Sequence, residues 1–307
     1  MATQHNHTHN HHHHNDVNLK KLYFAAFILL IVAIAEVVGG IMSNSLALLS
    51  DAGHMLTDIF AITIAIFAAM ISRKEADDKS TYGYYRAEII AAFINGIILA
   101  LLTLWILFEA VIRFFAPVPV NGTVMLVIGV IGLIANLIGA WLLHGSDEHD
   151  INTRAAFLHI LGDLFSSVAV VAGALAIIFY KWYWLDPLLS VIIAIVIMRA
   201  SFGLIRQAVD ILMEQVPQHI DMEKVKEDIM KIKGVNSVHH IHLWTIGSRR
   251  YSMSAHIDVD NIEICDGALI IDEINHILSH EYNIQHTTIQ LECLSCSDTR
   301  AGNHIHD

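Results

Sequence analysis

The sequence predicts an α-helical membrane protein: six transmembrane helices followed by a small cytoplasmic α/β domain of αββαβ order. Three observations carry that prediction. The 307 residues are 55% hydrophobic and only 16% charged, with a mean hydropathy of +0.53, too apolar for an ordinary soluble domain. The apolar residues are blocked: between residues 21 and 51 the only charge is Glu36, residues 89–108 and 123–143 carry none, and residues 155–180 carry only Asp163. Each block is long enough to cross roughly 30 Å of hydrocarbon at about 1.5 Å per residue. After Pro217 the pattern turns polar and periodic, as in a soluble domain.

In chain order, residues 1–18 hold His5, His7, His9 and His11 to His14 among Asn and Thr, a composition that cannot build a core. This tail reads either as a loose zinc-collecting segment or as an appended tag. No cleavable signal peptide is expected, because a polar tract stands where a basic and then apolar leader would. Spans are predicted at about residues 20–42, 47–72, 87–115, 121–144, 152–180 and 183–205. The sixth is interrupted by Asp186-Pro187 and Arg199. The connections on the side of the termini carry Lys20, Lys21, Arg73, Lys74, Lys79, Arg86, Arg154 and Arg206, against Arg113 and Lys181 opposite, so both termini are predicted to be cytoplasmic. Trp182, Tyr183 and Trp184 read as an interfacial anchor.

Residues 221–233 are amphipathic and stopped by Gly234, residues 235–246 and 251–259 alternate about a turn, residues 266–282 are helical, and residues 287–293 form a last strand. Two helices on one face of a small sheet follow from that order. The chain divides into a His-rich tail at 1–18, a six-helix domain at 19–207, an αββαβ domain at 208–294 and a C-terminal tail at 295–307. The formal net charge is −12, and from Arg206 onward eight basic residues face sixteen acidic ones, which argues against nucleic acid as a partner. Three cysteines, Cys265, Cys293 and Cys296, do not make a disulfide framework and fit a reducing compartment.

Two stretches inside the apolar blocks repeat one step: His54 with Asp58, and His159 with Asp163. At i and i+4 both side chains lie on one helix face. Two such faces offer two imidazole nitrogens and two carboxylate oxygens to a common point. One polar residue in a span is readily explained as an interhelical hydrogen bond. Two copies of an imidazole–carboxylate step are not, because a carboxylate in a low dielectric is costly and usually marks an ion or proton pathway. Four-coordinate nitrogen and oxygen donors suit Zn2+, whereas Ca2+ and Mg2+ prefer larger oxygen shells. Affinity order alone leaves Co2+, Ni2+ and iron open. Imidazole must lose its proton to bind metal, close to physiological pH, so proton entry from outside would expel the metal outward.

Around this step the chain resembles the cation diffusion facilitator family, in its zinc-exporting bacterial branch of CzcD- and ZitB-like proteins. The resemblance rests on Glu36-Val37-Val38-Gly39-Gly40, the run from Ser43 to His54, the Tyr82-Gly83-Tyr84-Tyr85-Arg86-Ala87-Glu88 loop, Asn152 ahead of His159, and His242-Leu243-Trp244. It implies a homodimer in the bacterial cytoplasmic (inner) membrane, a metallochaperone-like domain, alternating access, and transport at His54, Asp58, His159 and Asp163. It implies no catalytic cofactor and no enzyme activity, with Zn2+ and H+ as the exchanged ions and Zn2+ also as a structural or regulatory ion. Relatives with aspartate at the position of His54 are less selective, so His54 argues for zinc.

The same resemblance makes His239, His256, His286 and Glu292 candidates for a regulatory zinc site, while Leu269 and Gln290 stand where some relatives have histidine. Ser80 and Tyr84 replace the ligands of a loop site found in relatives. Strand alternation predicts His240 and His242 on one face and His239 on the other. Cys293 and Cys296 have the spacing of a zinc-binding pair or are idle reduced thiols. Asp51 is either a helix-start cap or a waypoint for the ion, and Glu36, Asn44 and Asn136 either bond between helices or line the pathway. The competing functions are a passive channel, a zinc sensor and a metalloprotease; the last is disfavoured by the absence of an HExxH motif.

Overall fold

Long apolar runs without an internal breaker fold as helices, since only a helix satisfies its own backbone in hydrocarbon. The computed structural model describes residues 19–72, 74, 76–143, 151–247 and 250–293, with the side chains of 19–29, 58, 62, 65, 69, 139–143 and 151–161 outside that description. Six helices come first: α1 (Leu19–Ser43), α2 (Leu46–Ser72), α3 (Arg86–Phe115), α4 (Gly122–Leu143), α5 (Ile151–Tyr180) and α6 (Leu185–Leu212). Among the described residues, α2, α3, α5 from Gly162 and α6 are each long and apolar enough to cross a membrane, and Leu30–Ser43 and Gly122–Ile138 are shorter apolar helices. Apolar side chains such as Ile31, Phe67, Phe108 and Val196 are more than half exposed, the surface that lipid covers. Tyr180 stacks on Trp182 at 5.1 Å, next to Trp184. The sixth helix runs past the predicted end at 205, because nothing from Ser201 to Leu212 breaks it.

By packing, the described residues form two compact units, one from those before residue 60 together with those from 101 to 198, the other from those at 60–100 together with those from 199 onward. In the first, α4 lies between α1 and α5. Glycines permit this closeness: a Cβ on Gly39 would sit 2.6 Å from Ile128 of α4, and one on Gly132 would strike the Glu36 carboxylate. The start of α2 is held by α6. Asp186 accepts from the Ser45 hydroxyl at 2.5 Å and from the Leu46 and Ala47 amides at 2.7 and 3.2 Å, satisfying donors that a helix N-terminus leaves unpaired. Ser45 in turn accepts from the Leu48 amide.

The second unit contains α7 (Met222–Met230), β1 (Val235–Gly247), β2 (Arg250–Val259), α8 (Ile264–Tyr282) and β3 (Ile284–Cys293). The sheet order is β1-β2-β3, with β1 antiparallel and β3 parallel to β2. Met253, Ala255, Ile257 and Val259 alternate inward along β2 and bury against Val225 and Ile229 of α7 and Ile274 and Leu278 of α8. The other sheet face carries the polar set. A bulge interrupts β1, since His239 pairs with His256 but His242 with Ser254; one extra residue resets the alternation. His240 absorbs it in the left-handed region, φ 47°. The expected faces are therefore corrected: His239 and His242 share the open face.

Candidate metal sites

The first site lies among the membrane helices of the first unit. His54 on α2 and Asp163 on α5 approach with Nε2 3.5 Å from Oδ1, both about one-fifth exposed. Asp58 and His159 are carried by the same two helices, and their side chains lie outside the described residues. Asp51 is buried and accepts from Ser166 Oγ of α5 at 2.6 Å. It stands inside α2, well past Leu46, so the cap reading is replaced: Ser45 and Asp186 cap that helix. Asn136 of α4 donates to Ser167 Oγ at 2.9 Å, an interhelical bond of the kind expected for it. Glu36 is 1% exposed, and its Oε2 has no hydrogen-bond partner among the described residues. A buried carboxylate of this kind is costly without a cation or proton nearby.

The second site lies on the open face of the small domain. His239, His256 and Glu292 each bring one donor atom within 4.8 Å of the others. His256 Nδ1 is 2.8 Å from Glu292 Oε1, and His239 Nε2 is 3.5 Å from Glu292 Oε2. Register explains the convergence: His239 pairs with His256, and Glu292 pairs with Asp258, one step along the same face from His256. Asp258 Oδ2 lies 3.5 Å from His239 Nδ1 and accepts from the Ser237 hydroxyl. Gln290 donates to Glu292 Oε1 at 2.7 Å. These neighbours orient the ligands, as outer groups commonly do around metals.

His286 is not brought to this group. It pairs with Ser252, six residues before Glu292 and so about 20 Å away along an extended strand, and its ring meets Tyr82 edge-on at 5.4 Å. His240 is the residue that sequence reasoning passed over. Its ring lies 5.3 Å from that of His239 and 5.2 Å from that of His256, and only the bulge, invisible to simple alternation, puts it there. Cys293 ends β3 half-buried, and Cys296 lies outside the described residues, as does the His-rich tail.

The cation efflux transmembrane domain family matches residues 22–213, and the cation efflux cytoplasmic domain family matches residues 217–293. The chain is 39% identical over 306 residues to a protein named zinc transporter ZitB from Pectobacterium atrosepticum, covering 99% of this chain and 93% of that one. It is 40% identical over 304 residues, 98% and 93% of the two chains, to a cadmium, cobalt and zinc/H(+)-K(+) antiporter from Bacillus subtilis. A solved metal-bound C-terminal domain of the CzcD transporter from Cuprividus metallidurans is 29% identical, covering 24% of this chain and 99% of that one at a TM-score of 0.22. With a family match over most of its length and relatives near 40% identity across almost all of it, the chain belongs to the cation efflux, or cation diffusion facilitator, family of integral membrane metal transporters.

Proposed function

We propose that this protein exports Zn2+ from the cytoplasm in exchange for protons, with His54, Asp58, His159 and Asp163 holding the ion between α2 and α5. The approach of His54 to Asp163 across the two helices is the observation that carries this reading. An imidazole binds Zn2+ only when neutral, so a proton and the metal compete for the same lone pair. Loading from the low-proton side and displacement from the high-proton side then give net export. The names of the relatives support zinc as cargo, and the cadmium and cobalt of the Bacillus protein's name set the wider range. His54 favours zinc within it. His239, His256 and Glu292 hold a regulatory ion, and the protein works as a homodimer in the inner membrane with cytoplasmic termini.

The test is Zn2+ flux with internal pH recorded in reconstituted vesicles. Zinc uptake should be accompanied by proton movement in the opposite direction, and Asp163→Ala should abolish both while the purified protein stays folded. Zinc movement with no proton movement, or full transport by Asp163→Ala, would refute the proposal.

A further inference from the structure

The outer surface of α8 carries imidazoles that neither site uses. His276 and His280 stand one helical turn apart, both exposed, with rings parallel to within 9° and centroids 5.8 Å apart. Two imidazoles on one tetrahedral Zn2+ with bonds of about 2.0 Å place their centroids about 5.2 Å apart. The observed spacing is close to that, and χ2 of histidine is a broad torsion that leaves each ring free to turn.

Three further observations point to a cation there. Glu281 Oε1 lies 3.4 Å from His280 Nδ1; a carboxylate at that nitrogen holds the ring with Nε2 outward and makes it a better ligand. The pair occupies the last two turns of α8, which ends at Tyr282, where the unpaired carbonyls of a helix C-terminus favour positive charge. His276 also lines a recess of ≈ 490 Å³ with Asp272, one turn earlier on the same face, and with Ser279 and Gln285, leaving room for water in the remaining coordination positions.

We infer that His276 and His280 form a peripheral site for a divalent transition cation such as Zn2+ or Co2+. The site is separate from His239, His256 and Glu292, because α8 packs on the sheet face opposite to theirs. It adds a cation-binding position to the small domain that stays open to solvent and is independent of the transport ligands.

The experiment uses the full chain in detergent, modified with diethyl pyrocarbonate and read residue by residue by mass spectrometry. The reagent attacks the same imidazole lone pair that a metal occupies. Zn2+ should suppress modification of His276 and His280 with one shared midpoint, Mg2+ should not, and His280→Ala should abolish the protection of His276. Alanine at this exposed helix position favours the helix, and an unchanged circular dichroism spectrum verifies it. Unaltered modification in Zn2+, equal protection by Mg2+, or protection of His276 that survives His280→Ala would each overturn the inference.

Discussion

Asp51 and Asp186 are both buried carboxylates of the helical region, yet their partners give them different roles. Asp51 accepts one bond, from Ser166, beside His54 and Asp163. Asp186 accepts from a hydroxyl and two amides at the start of α2. Removing it strands those donors where no water reaches, and an unsatisfied buried polar group costs about 1–3 kcal/mol. Asp186→Ala should therefore destabilise the protein by about 3 kcal/mol in total, seen as a lower melting temperature in detergent. Asp186→Asn keeps an acceptor oxygen and should lose clearly less. Equal melting of Asp186→Ala and the parent would show that α2 does not depend on this cap. The residue was legible in the sequence only as an interruption of the sixth span, since a cap supplied by a helix 140 residues away leaves no local pattern.

At the level of elements, the helices follow from long apolar blocks, which continue through single charges and glycines such as Glu36 and Gly39 in α1 and Arg199 and Gly203 in α6. Spacing on a helix places His54 with Asp58 and His159 with Asp163 on one face each, but does not say which helices face one another; the approach of His54 to Asp163 comes from the packing. The small domain's site was legible only in part. Alternation along β1 fails for the histidines because the chain inserts one residue at His240, and no residue there announces it: a left-handed position usually falls to glycine, and here it holds histidine. His240→Gly should relieve about 1 kcal/mol relative to His240→Ala, while both should weaken Zn2+ binding to the open face. Chemical denaturation and metal titration together check this. If the glycine variant is no more stable than the alanine one, the bulge is not strained as its φ indicates.

Across the second unit as a whole, the loop between α2 and α3 is seated on the open face of the small domain. Tyr82 meets His286, Arg250 lies over the Tyr85 ring at 4.0 Å, and Arg86 pairs with Glu214 at 2.7 Å. The exposed ion pair contributes little by itself, so the aromatic contacts and steric fit carry the docking. The loop is preshaped by Asp77, whose carboxyl is held below its usual range by the Tyr84 hydroxyl and then by the Ser80 and Lys79 amides. That contribution is fully present above the ordinary carboxylate pKa and is lost as pH falls through the lowered one. Gly247 is where the fit is tightest, because an added Cβ would lie 2.5 Å from the Tyr85 Cβ. Gly247→Val should lift Tyr85 and the loop while leaving His239, His256 and Glu292, farther along the sheet, able to bind metal. Its expected signature is faster hydrogen exchange across residues 76–86 and slower transport, with the Zn2+ affinity of the open face retained. Normal transport alongside a loosened loop would show that transport does not depend on this contact.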